Sequence, residues 1–169
     1  MPRILLEGRP GSGKTTLCRA VAEAIERRGL TVAGFVTEEI RAGRRRAGFS
    51  IETFSGERGV LAHVDRVGEP RVGRYGVDIA TFEQLALPSL EQPADIVVID
   101  EIGKMELLSE TFRACLADIV EGDRPILATV HTFRHPFTDA LKARPDVRVL
   151  MVDRSRRAEQ VQEVEGLLI

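Results

Sequence analysis

Gly8-Arg9-Pro10-Gly11-Ser12-Gly13-Lys14-Thr15 is the stretch that decides the fold. It satisfies G-x-x-x-x-G-K-[ST] at every defined position, the pattern of a loop that cradles phosphates between a strand and a helix. At average composition the bare pattern arises by chance in on the order of 1% of chains this long. Gly8, Gly11 and Gly13 let backbone N–H groups turn inward around phosphate oxygens without side-chain interference. A helix beginning near Lys14 aims the positive end of its dipole at the same anion. Lys14 is expected to reach the β- and γ-phosphates and to act in catalysis, and the Thr15 hydroxyl to bind Mg²⁺. Thr16 adds a hydroxyl near the α-phosphate. The alternative, a glycine-rich turn with no ligand, is opposed by the flanks. Residues 3–7 (RILLE) form a short apolar run that reads as a buried strand. Residues 15–28 place Leu17, Val21, Ala22 and Ile25 on one helical face, and Gly29 supplies the stop.

Residues 95–100 (DIVVID) form the clearest buried strand of the chain. A continuous branched apolar run is what a parallel strand covered on both faces requires. It delivers Asp100 and Glu101 at its C-terminal end, the edge at which parallel sheets hold ligands. Asp100 is expected to hold Mg²⁺, directly or through its water. Glu101, one residue further on, could orient and deprotonate an attacking water. Two acids at a strand end are common in themselves; beside a complete phosphate loop they acquire this division of labour. Thr129 and His131 close the next strand. There a polar group either touches the γ-phosphate or the water, or is an ordinary strand-end residue.

The remaining pattern alternates strand and helix. Strands are expected over 32–40, 45–54, 59–64, 125–130 and 147–152, and helices over 79–91, 109–121, 136–144 and 155–165. Pro88 should end or kink its helix, and Ser109 is a candidate N-cap. Residues 65–78, rich in Gly, Pro and Arg, read as a loop. The alternation predicts an α/β protein, 1–169 as one domain, with helices on both sides of a mostly parallel sheet. The stretch from about 35 to 78 breaks that rhythm and reads as an antiparallel hairpin insertion.

Composition sets the outer limits. The chain has 169 residues, 43% hydrophobic and 30% charged, which is ordinary for a globular protein and excludes a disordered one. A net charge of −2 argues against a whole-surface grip on nucleic acid or membrane. No apolar run approaches the roughly 18–20 residues of a membrane span. Cys18 and Cys115 lack the spacing of a metal knuckle or redox pair and read as small buried hydrophobes in a reducing cytoplasm. His63 and His135 have no metal-ligand partners at useful spacing. Of the 24 basic residues only Lys14, Lys104 and Lys142 are lysines, so a lysine here is a poor candidate for surface decoration. The arginines Arg41, Arg44, Arg45 and Arg46 cluster at the expected hairpin tip, with Arg71 and Arg74 in the following loop. Three readings stay open for them: a solvated turn, an arginine folded over the nucleotide in cis, or a contact to RNA or an acidic partner.

GRPGSGKTTL at 8–17, GFVTEEIR at 34–41, RAGF at 46–49, GRYGVD at 73–78, FEQLALP at 82–88 and VVIDEIGKMEL at 97–107 together resemble the THEP1-type nucleoside-triphosphatases, known in animals as cancer-related nucleoside-triphosphatases. The resemblance implies a RecA-like P-loop NTPase fold with an extra strand and a catalytic glutamate. It implies slow Mg²⁺-dependent hydrolysis of ATP, GTP, CTP and UTP to diphosphate and phosphate, with loose base selectivity. By the same resemblance Gly8 to Thr16 carry the phosphate site, Asp100 and Glu101 the acidic pair, and Ile102, Gly103 and Lys104 extend the nucleotide-site motif. Glu7 departs from the pattern by placing a charge beside the phosphates, unless it faces away or pairs with an arginine.

A stand-alone, monomeric nucleoside-triphosphatase is therefore the expected function. A kinase passing the γ-phosphoryl to a small acceptor is the runner-up, with the 41–76 insertion as its lid; a glutamate beside the metal acid favours water over transfer. An RNA-associated nucleotide-binding module is the third reading.

Overall fold

The phosphate loop joins strand β1 (Arg3–Glu7) to helix α1 (Lys14–Arg27) in a computed structural model that describes all 169 residues. Next come β2 (Val32–Ala42), β3 (Arg45–Thr53), β4 (Arg58–His63), β5 (Arg71–Val72) and β6 (Tyr75–Val77). Helix α2 (Ile79–Glu91) leads to β7 (Ile96–Ile102), α3 (Glu110–Glu121) and β8 (Ile126–Val130). Helix α4 (Pro136–Lys142), strand β9 (Arg148–Met151) and α5 (Arg157–Leu168) complete the chain. All nine strands form one sheet in the order β5-β6-β4-β3-β2-β7-β8-β1-β9. From β2 to β9 the neighbours are parallel; from β2 outward to β5 they are antiparallel. The fold is α/β, with a parallel core extended by antiparallel hairpins.

Strand alternation sorts the core into two layers. Leu5, Val97, Ile99 and Ala128 face Phe82, Leu90, Phe112 and Leu116 of α2 and α3. Ile4, Leu6, Ile96, Val98 and Leu127 face Leu17, Val21 and Ile25 of α1 and Val164 and Leu168 of α5. Helices thus cover both faces, which is why these strands read as unbroken apolar runs. On the first face Phe35, Phe82 and Phe112 meet edge-on or tilted, with centroids 5.0–6.0 Å apart, arrangements that suit aromatic quadrupoles. Gly34 allows β2 to approach β7. Its φ is +107°, and a Cβ there would lie 1.8 Å from the Val98 carbonyl oxygen.

Three expectations need correction. The 65–78 segment is not all loop: β5 and β6 form a small hairpin about Gly73 (φ +56°) and Arg74, with strands too short to show a period. Helix α2 runs Ile79–Glu91 as expected, so of the two outcomes read for Pro88 the helix end does not occur; the ring sits in the last turn, where buried Leu90 anchors the helix. Helix α5 begins at Arg157 rather than 155, because Asp153 first caps a separate 3₁₀ turn over Arg154–Arg156. Cys18 is fully buried, but Cys115 is only half-buried on the flank of α3. Ser109 caps α3 as expected, its Oγ accepting from the Phe112 N–H at 3.0 Å. No helix is long and apolar enough to cross a membrane.

Candidate active site

The C-terminal ends of β1, β7 and β8 open into a cavity of about 790 Å³. The phosphate loop forms one side of it through Arg9, Pro10, Gly11, Gly13, Lys14, Thr15 and Thr16. Gly11 and Gly13 have φ of +77° and +93°, values open to glycine at little cost. Gly8 and Ser12 belong to the same turn but do not line the cavity. The Gly8 carbonyl instead accepts from Lys14 Nζ at 2.6 Å, and Ser12 Oγ is buried without a partner.

Strand β7 brings the acids to this loop. Lys14 Nζ lies 3.2 Å from Glu101 Oε2. The Thr15 hydroxyl donates to Asp100 Oδ2 at 2.7 Å, and the Thr129 hydroxyl donates to Asp100 Oδ1 at 2.5 Å. Asp100 is 1% exposed and has no cationic partner. Burial pushes its carboxyl up to about 6; the Thr129 and Thr15 hydroxyls pull back, and the charge of Glu101 pushes further up. Such a carboxylate is short of positive charge. Together with a hydroxyl within hydrogen-bond reach it is the hard-oxygen donor set that Mg²⁺ takes alongside phosphate and water. The residues present fit that ion.

A third acid joins the pair. Glu106, in a 3₁₀ turn after β7, is 3% exposed and lines the same cavity. A Cβ on Gly103 would meet both the Glu101 and Glu106 carboxylates, at 2.6 and 3.0 Å. Burial, then the charge of Glu101, holds the Glu106 carboxyl well above the usual range. The acid lies within the GKMEL string, so its type was visible; only the turn shows that it folds back toward Glu101. Of the other motif residues, Lys104 lines the cavity with its ammonium 4.7 Å from the Phe133 ring centroid. Ile102 faces the core at 1% exposure and does not reach the cavity.

The hairpin supplies the opposite wall. Glu38, Glu39, Arg41, Arg46 and Phe49 line it, and Glu39 holds Arg41 at 2.9 Å and Arg46 at 2.6 Å. The arginine cluster therefore splits: Arg44 and Arg45 stay exposed at the tip. Arg71 and Arg74 do not line the cavity. Arg71 donates to the carbonyls of Arg66 and Arg74, and Arg74 to that of Arg46. Thr129 is spent on Asp100. His131 is in the cavity wall, where burial and then the charge of Lys142 push its imidazole down to about 4. His135 accepts from the Phe137 N–H as the cap of α4. Glu7 pairs with a lysine instead of an arginine: Lys142 Nζ bridges its carboxylate and the His131 carbonyl. All three lysines thus lie at or beside the site. One cavity residue comes from the far end of the chain, Arg154, and no motif marks it.

A family model described as NTPase matches residues 3–165. The nucleoside-triphosphatase THEP1 of Thermotoga maritima is 38% identical over 169 residues, covering 98% of this chain and 95% of that protein. The chain belongs to the THEP1-type NTPase family. Two solved structures resemble this NTPase-family chain over nearly their whole length. That of THEP1 from the hyperthermophile Aquifex aeolicus has a TM-score of 0.86 at 32% identity and 99% coverage of both chains. The solution structure of a human cancer-related nucleoside triphosphatase has a TM-score of 0.83 at 37% identity, covering 98% of this chain and 96% of the other.

Proposed function

We propose that the protein hydrolyses nucleoside triphosphates to diphosphate and phosphate, with Glu101 as the general base and loose selectivity for the base. The observation that carries this reading is the meeting of the two motifs: Lys14 beside Glu101 at 3.2 Å and Thr15 beside Asp100 at 2.7 Å. In this arrangement the backbone amides of Gly11, Gly13, Lys14, Thr15 and Thr16, which line the cavity, and the Lys14 ammonium bind the polyphosphate. Water attacks the γ-phosphorus, its proton passes to Glu101, and the bond to the β–γ bridging oxygen breaks. Lys14 stays within reach of both the phosphate and the base. Thr15 and Asp100 would hold Mg²⁺, which when bound neutralises charge on the β- and γ-oxygens. On the same reading residues 1–169 act as one monomeric, cytoplasmic domain, with the 35–78 insertion as a wall of the site.

Of the cavity's apolar lining, Phe49, Leu61 and Val72 lie on the insertion, and Met105 and Phe133 follow β7 and β8. That observation favours phosphoryl transfer as the second reading. A turnover screen separates the two: ATP, GTP, CTP and UTP with Mg²⁺, alone, with candidate acceptors, and with RNA. Slow phosphate release of similar rate from all four supports hydrolysis. A phosphorylated acceptor formed faster than free phosphate assigns a kinase, and release that requires RNA assigns an RNA-associated module.

Asp100 also sets a pH dependence. Its folded value of about 6 stands above its ordinary 3.8. In the metal-free protein the stability from this group is therefore full below about pH 4 and lost as pH rises through 6. Mg²⁺ reverses the preference, because the cation competes with that proton. Apparent Mg²⁺ affinity should fall about tenfold per pH unit below pH 6 and level off above it. Titration of Mg²⁺ at fixed nucleotide between pH 5 and 8 measures the slope; a flat profile removes Asp100 from the metal site.

A further inference from the structure

Of the four arginines that line the cavity, only Arg9, on the phosphate loop itself, and Arg154 make no side-chain ion pair or hydrogen bond. Arg41 and Arg46 are tied to Glu39, and the neighbouring Arg156 to Glu159 at 3.0 Å. Arg154 makes no ion pair and no hydrogen bond, yet lines the cavity. It lies against the phosphate loop: a Cβ on Gly13 would be 3.4 Å from Arg154 Cγ and Nε, and 2.6 Å from Arg157 Nη2. The turn that carries it is built. Asp153 accepts from the Ser155 N–H at 2.9 Å and from its hydroxyl at 2.7 Å. Gln160, 4% exposed, accepts from the Asp153 N–H at 2.9 Å and donates to the Met151 carbonyl at 2.8 Å. The backbone that carries this exposed, unpartnered guanidinium is thus fixed beside the phosphate loop.

Sheet order gives it a direction. Lys14 and Glu101 mark the γ-phosphate end, at the tip of β7. Arg154 follows β9, on the other side of β1, three strand spacings or about 14 Å away. A triphosphate with its terminal phosphate at Glu101 therefore points its nucleoside toward Arg154. The cavity lining holds no Asn or Gln for a bidentate grip on adenine. A planar cation, by contrast, attracts the π face that every nucleobase shares. Resting on the nucleotide reading above, we propose that Arg154 is the nucleobase platform of the site: its guanidinium stacks on the base of any nucleoside triphosphate, so that binding gains from the base without choosing among bases.

Binding measurements test this on the full chain, with non-hydrolysable analogues of ATP, GTP, CTP and UTP and with inorganic tripolyphosphate. Arg154→Ala should weaken all four analogues by about tenfold and leave tripolyphosphate within twofold. Arg154→Lys, which keeps the charge and loses the plane, should behave like Arg154→Ala. The inference is overturned if tripolyphosphate weakens in parallel, if lysine restores the affinity, if one base alone is affected, or if no analogue weakens. A parent chain that binds neither analogue nor tripolyphosphate overturns the nucleotide reading itself. Tight tripolyphosphate binding with no effect at Arg154 overturns only the platform.

Discussion

Glu101→Gln should lower phosphate release by about 10²- to 10⁴-fold, the span of a lost general base, while nucleotide still binds. The glutamine keeps the size of the side chain and one carbonyl oxygen but cannot take a proton from water. Binding should hold or tighten slightly, because a negative charge beside the polyphosphate is gone. Single-turnover phosphate release with equilibrium titration of an analogue reads both effects. If the variant hydrolyses at the parental rate, Glu101 is not the base. Glu106, the other carboxyl above Gly103, then becomes the group to test.

Lys14→Ala should have the second largest effect, in binding. The ammonium is held by the Gly8 carbonyl at 2.6 Å and by Glu101 at 3.2 Å, which aims it before any ligand arrives. Hydrogen bonds to charged groups are worth about 1.5–3 kcal/mol, so losing this one should weaken a triphosphate by about 10- to 150-fold. The damage does not end at affinity. Asp100, Glu101 and Glu106 would share one pocket without the lysine, and like charges at close quarters favour protonation. Turnover at saturating nucleotide should therefore fall as well. Lys14→Arg should not rescue, since its broad planar fork replaces a compact charge on a narrow stem. Calorimetric titration with an analogue checks the affinity, and a parental value would dissociate Lys14 from the phosphates.

The parts of this molecule that the sequence made legible are those where chemistry is written locally. The phosphate loop needs its glycines and lysine at fixed offsets, and β7 needs an apolar run ending in acids. Both therefore stood out and met in space. The two-faced burial of β1, β7 and β8 likewise shows directly as continuous Ile, Leu and Val. What escaped depends on how the chain turns and which strands pair. Glu106 becomes a site residue only because a 3₁₀ turn folds it over Gly103. Arg154 does so because β9 pairs with β1 across more than a hundred residues. Thr129 looked like a candidate for the phosphate; its hydroxyl is taken by Asp100, a pairing that needs the parallel register of β7 and β8. Ile102 lies in a motif string, yet strand alternation turns it into the core. Position in a motif does not settle which way a side chain faces.

Strand β2 belongs to two constructions at once. Its first residues, Val32–Phe35, pair with β7, and the remainder, from Phe35 to Ala42, pairs with β3. The wall bearing Arg41 and Arg46 is therefore continuous, through backbone hydrogen bonds, with the strand that carries Asp100 and Glu101. Beyond Phe35 that wall has left β7, and at Arg41 and Arg46 it is carried by the β2–β3 pairing alone, whose register slips between Ile40 and Arg41, so the arginines project from a two-stranded arm rooted in the catalytic sheet.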